Sequence, residues 1–72
     1  MTINEKLNCL EELLDIEKDT LNVKMELDKI SQWDSMAVIA LIAMIDDVFG
    51  KVITPSKVKE FKSIQDIIDE ME

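Results

Sequence analysis

The chain is predicted to be all-α, a small four-helix bundle with a long first loop and a short third helix. Three observations carry that prediction. Apolar residues recur at helical spacing near both ends and through the middle, residues suited to cap a helix stand before each such stretch, and the segment from Asp15 to Asp34 has neither a helical nor an alternating pattern. At 72 residues the chain is expected to form one domain, residues 1–72. A chain of this size buries about 60% of its unfolded surface, and its core supplies roughly 3–5 kcal/mol of net stability. That leaves little room for a deep active site.

The first helix is expected to begin at Ile3. Thr2-Ile3-Asn4-Glu5 has capping-box form, with Thr2 as the cap and the Glu5 side chain reaching back to it. Ile3, Leu7, Leu10 and Leu14 make one apolar stripe, with Cys9 and Leu13 beside it, while Glu5, Lys6, Asn8, Glu11 and Glu12 are expected to face away. In the long connection that follows, Ile16, Leu21, Met25, Leu27 and Ile30 are scattered apolar residues suited to pin a loop onto the bundle. The other reading of this segment is a short helix around Thr20 to Met25. Trp33, the only tryptophan, is read as a loop anchor, the alternative being a partner contact.

The second helix is expected to run from Ser35 to Phe49. Asp34 is its N-cap, with a carboxylate suited both to a free N–H of the first turn and to the positive end of the dipole. Gly50, the only glycine, supplies the left-handed residue that ends it. Val38, Leu41, Ile42, Ile45 and Phe49 form a bulky stripe for the core. Met36, Ala37, Ala40, Met44 and Asp47 lie mostly opposite, a small and apolar face expected to dock a partner. A homodimer seam, or burial of that face under the loop, are the alternatives. Thr54-Pro55 reads as cap and first residue of a short third helix with Val58 and Phe61 inward. Ser63-Ile64-Gln65-Asp66 opens a last helix with Ile64, Ile67, Ile68 and Met71 on one face. Lys51, Lys57, Lys59 and Lys62 gather in this half and are read as solvated.

Composition narrows the function. Sixteen acidic and eight basic residues give a net charge of −8, which repels nucleic acid and anionic membranes and attracts basic protein surfaces. No histidine is present, and Cys9 stands alone, so neither a metal site nor a disulfide framework is expected. A lone thiol and an N-terminus without signal-peptide character point to the cytoplasm. The apolar run from Met36 to Ile45 is ten residues, half of the ~20 needed to cross a bilayer, so no membrane insertion is expected. Ser35 stands at the first helical position, where its hydroxyl projects at the helix mouth and where backbone donors and the dipole favour a phosphate esterified to it. Plain capping by Asp34-Ser35 is the alternative. Without a histidine to activate it, Ser35 cannot be a triad nucleophile. The chain is therefore not expected to be an enzyme, and Ser35 must be acted upon by another protein.

The run Trp33-Asp34-Ser35-Met36, followed by an apolar helix ending Ile45-Asp46-Asp47-Val48-Phe49-Gly50, resembles the prosthetic-group attachment region of acyl carrier proteins. The resemblance extends along most of the chain, including the short third helix from Thr54-Pro55 to Phe61 and the last from Ser63. It implies a covalent 4'-phosphopantetheine, taken from coenzyme A, on Ser35, with Asp34 as cap and part of what the transferase recognises. It also implies a phosphopantetheinyl transferase and acyl- or aminoacyl-loading and processing enzymes as partners of a monomeric carrier holding its cargo as a thioester. Many fatty-acid carriers have Gly where this chain has Gln32, and more acidic side chains along the second helix. The lower acidity favours a carrier of a specialised pathway. The competing reading is a cofactor-free helical adaptor or dimerisation module that docks through the second helix.

Overall fold

The structure, a computed structural model describing residues 1–72, contains four α-helices: α1 (Ile3–Leu14), α2 (Ser35–Phe49), α3 (Pro55–Lys59) and α4 (Ile64–Glu70). A single 3₁₀ turn at Leu27–Lys29 interrupts the long connection, so the alternative of a helix around Thr20 to Met25 is not realised. The long first loop and short third helix are as expected. No helix is long and apolar enough to cross a membrane.

The first three helices start where a cap side chain accepts a free N–H of the first turn, and at the fourth a carboxylate of the first turn reaches back to the N–H groups just before it. The Thr2 hydroxyl accepts from the Glu5 N–H at 3.1 Å, and the Glu5 carboxylate accepts from the Thr2 N–H at 2.9 Å. The Thr54 hydroxyl caps α3 through the Lys57 N–H, with Pro55 at a position that needs no donor. At α4 the Asp66 carboxylate accepts from the N–H groups of Lys62 (2.8 Å) and Ser63 (3.2 Å). Those bonds to backbone N–H groups hold the Asp66 carboxyl below its usual range. A carboxyl whose folded value is depressed adds stability above its unfolded value, near pH ~4, and that stability is lost as pH falls through the folded value. Thermal melts from neutral to acid pH are therefore expected to show Asp66→Asn less stable than wild type at neutral pH, with the gap closing in acid.

The core is one cluster contributed by every helix and by the connections between them. Leu7, Leu10 and Leu14 of α1, Ala37, Leu41 and Ile45 of α2, Val58 of α3, and Ile64, Ile67 and Ile68 of α4 with Met71 after it are buried. Ile53, between α2 and α3, joins them. Burying such side chains is worth about 1.5–3 kcal/mol each before the cost of ordering the chain. Ile3, expected in the α1 stripe, is 57% exposed, because it stands in the first turn beyond the cluster's edge. Glu11, expected to face away, is buried to 2% exposure. It shares the inward face of α1 with Leu7, Leu10 and Leu14, and the following loop folds over it.

The long loop is fastened at several points. Leu21 and Leu27 are buried, with Ile16, Met25, Ile30 and Trp33 packed against the core. Its backbone is also bonded to the start of α4. Leu27 donates to the Lys62 carbonyl at 2.9 Å, while Ile64 and Gln65 donate to the carbonyls of Met25 and Val23 at 2.9 and 3.0 Å. The first two N–H groups of α4, which a helix cannot satisfy for itself, thus end on the loop. Lys51, expected to be solvated, reaches Glu70 at 3.5 Å and ties the segment after α2 to the end of α4. Lys57, Lys59 and Lys62 are exposed.

Candidate functional site

The mouth of α2 is a short exposed step between two anchors. On the loop side the Trp33 N–H donates to the Ile30 carbonyl at 3.0 Å, and the Trp33 ring is partly buried against the core. On the helix side Ala37 is buried at 7% exposure. Between them stand Asp34, Ser35 and Met36, all exposed. A hydroxyl in that place is open to a visiting protein yet held by a base that moves little, because both neighbours two residues away are packed.

Asp34 has extended backbone (φ −131°), and its Oδ1 accepts from the Ala37 N–H at 2.9 Å, while its carbonyl takes the Val38 N–H at 3.1 Å. Helix geometry leaves the N–H groups of Ser35 and Met36 without partners along α2. They point out of a helix of fifteen residues whose first turn has no acidic residue, and Asp34 is the only carboxylate at that end. The position attracts an anion on the Ser35 oxygen. At the other end Gly50, left-handed at φ 64°, donates to the Asp46 carbonyl and closes the helix.

The outward face of α2 is rotated from the expected one. Ala37, assigned to the docking surface, lies in the core with Leu41 and Ile45 at spacings of four, and Ala40 and Met44 are half-buried. Of the expected residues only Met36 and Asp47 are exposed. The surface instead presents Met36 (72% exposed), Ile39 (64%) and Ala43, then Asp46 and Asp47. Ile39 was missed because its apolar side chain gave no sign of facing water. Val38, Ile42 and Phe49 pack at the edge of the core, not at its centre. Beside the helix mouth a cleft of about 360 Å³ is bounded by Leu13 and Leu14 of α1 and by Gln32, Asp34, Met36, Ala37 and Ala40.

The model of the phosphopantetheine attachment site family matches residues 7–71, nearly the whole chain. The protein belongs to that family. It is a carrier protein, and domains of this kind hold 4'-phosphopantetheine through a covalent bond. The cofactor-free adaptor is thereby set aside. Searches of curated proteins and of solved structures found no match. In this carrier, what remains to be assigned is the residue that bears the arm and the surface its partners meet.

Proposed function

We propose that Ser35 bears the phosphopantetheine arm and that the protein presents acyl or aminoacyl groups to the enzymes of a specialised biosynthetic pathway. The observation that carries this reading is the place of one hydroxyl: Ser35 is exposed at the first position of a fifteen-residue helix, directly after the carboxylate that caps it. The other serines fit less well. Ser31 lies in a turn of the loop with its hydroxyl turned to Gln32, Ser56 sits in a five-residue helix, and Ser63 is half-buried before α4. The Asp34-Ser35-Met36 sequence also matches the motif on which acyl carrier proteins, which this chain resembles, bear their arm.

The residues around Ser35 suit such a group. The free N–H groups of Ser35 and Met36 and the helix dipole favour a phosphodiester there. Trp33 and Ala37 fix the base of the arm, so that its reach is set by the arm and not by the loop. When bound, the group supplies a thiol on a flexible tether, and the reactive sulfur is the cofactor's. This chain contributes the tether point and the contacts that bring the load to one enzyme after another. Met36 and Ile39 offer apolar contacts, while Asp34, Asp46 and Asp47 steer basic surfaces of the transferase and later partners. We place the carrier in the cytoplasm as a monomer, without activity of its own.

The test is incubation with coenzyme A and a broad-specificity phosphopantetheinyl transferase, followed by mass analysis. The intact mass is expected to rise by one phosphopantetheine, and the tryptic peptide Ile30–Lys51 to bear it. Fragmentation of that peptide must place the group on Ser35 and not on Ser31. An unchanged mass, or a group on any other residue, refutes the assignment.

A further inference from the structure

Gln32 and Asp34 line the cleft beside α1, whereas Trp33, between them in the chain, lines a second groove of about 310 Å³ with different neighbours. One wall of that groove is the 3₁₀ turn, with Glu26, Leu27 and Asp28, and the other is the connection from α3 to α4, with Phe61 and Lys62. The Leu27 N–H donates to the Lys62 carbonyl at 2.9 Å and joins the two walls, so their spacing is set before anything binds. The rings of Trp33 and Phe61 are half-buried against the core and line the groove with what remains open. Glu11 Oε1 is the one buried side-chain polar atom without a partner, so the Trp33 indole N–H, which bonds to nothing in the protein, reaches solvent. A ring that served only as an apolar anchor would have no use for that donor. Glu26 stands 3.9 Å from Lys29, while Asp28 and Lys62 are exposed and form no ion pair. The groove thus offers two aromatic faces, an N–H, an ammonium and a free carboxylate.

Trp33 and Ser35 are two residues apart, a step of at most about 7 Å along the chain. A phosphopantetheine on Ser35 runs from its phosphodiester through a carbon with two methyl groups to two amides and then the thiol. The methyl groups suit the aromatic faces, an amide carbonyl suits the Trp33 N–H or the Lys62 ammonium, and an amide N–H suits the Asp28 carboxylate. We infer that this groove seats the phosphopantetheine arm borne at Ser35, with Trp33 as a positioning residue whose indole N–H holds an amide carbonyl of the arm. The cleft beside α1 fits the arm less well. Its carboxylate, Asp34, already accepts from the Ala37 N–H, and no cation stands there to offset it beside a phosphodiester. This inference rests on Ser35 as the attachment residue and says which way the arm turns from it.

The experiment converts ¹³C,¹⁵N-labelled protein to the holo form with unlabelled coenzyme A and the transferase, so that isotope-filtered NOEs separate protons of the arm from those of the chain. With one tryptophan in the sequence, the indole N–H signal belongs to Trp33 alone. That signal is expected to shift on conversion, and the methyl protons of the arm to give NOEs to the rings of Trp33 and Phe61. Trp33→Phe keeps a ring and removes the donor. In it the ratio of docked to free arm, read from the NOEs to Phe61, is expected to fall about fivefold, the size of one net hydrogen bond, while the backbone amides of α4 keep their positions and show the fold intact. A gain of mass on Ser35 without those NOEs overturns the inference and leaves Ser35 standing. An indole signal that is still in the holo protein and shifts only when the transferase is added makes the groove a partner contact, which overturns it as well. Undiminished NOEs in Trp33→Phe overturn the part given to the indole N–H. An unchanged mass overturns the Ser35 assignment and, with it, the seat of the arm.

Discussion

Ser35→Ala is expected to take up no phosphopantetheine while melting within a few degrees of the wild type. The hydroxyl oxygen is the atom that the ester needs, and no neighbouring side chain can replace it. Ser31, the nearest serine, precedes the Trp33 anchor and lies outside the helix. The fold should hardly notice the change. Ser35 is exposed, substitutions at such positions usually fall within about 0.5 kcal/mol, and alanine is the better helix former. The cap survives because Asp34 bonds the Ala37 N–H and not Ser35. Asp34→Ala gives the contrast, since loss of that cap costs about 1 kcal/mol and lowers the melting temperature as well as any transferase contact. Intact mass after transferase treatment, with a thermal melt of each variant, separates the two roles. Uptake by Ser35→Ala would put the arm elsewhere, and a collapse of its melting temperature would make the hydroxyl structural.

The features read correctly from sequence are those that depend on residues within a turn of one another. Thr2 with Glu5, Asp34, Thr54-Pro55, Asp66 in the first turn of α4 and Gly50 after α2 each act on backbone groups a few positions away, so their chemistry shows in the order of residues alone. The mouth of α2, and with it Ser35, was therefore legible. The rotation of α2 was not. Between Met36 and Ile45 that helix has no charged residue, so its periodicity cannot choose an inward face, and the choice falls to the packing of α1 and α3 against it. The small side chain of Ala37 is drawn inward beside Leu13 and Leu14, which sends Ile39 to the surface. Nor could sequence show the bonds that join Val23, Met25 and Leu27 to the start of α4, because their partners are distant in the chain.

Glu11 reverses that lesson, since its spacing pointed inward and only its charge argued otherwise. Glu11→Ala is expected to lower the melting temperature by roughly 10 °C or more, the second large effect. The Glu11 Oε2 accepts from the buried Leu21 N–H at 2.9 Å, ten residues along the chain. Removing the acceptor strands that donor and opens a gap beneath the loop. A bond to a charged group is worth about 1.5–3 kcal/mol, and in a domain this small 1 kcal/mol moves the melting temperature by about 4–8 °C. Glu11→Gln should behave differently. Its amide oxygen can still take the Leu21 N–H, and the change removes a charge whose other oxygen, Oε1, has no partner in the fold. Its cost is expected to stay under about 1 kcal/mol. Hydrogen exchange at Leu21 locates the effect: protection should drop sharply in Glu11→Ala and persist in Glu11→Gln, with the amides of α4 following only as far as global stability falls. Equal losses in both variants would mean that the charge of Glu11, and not its bond to the loop, is what the fold requires.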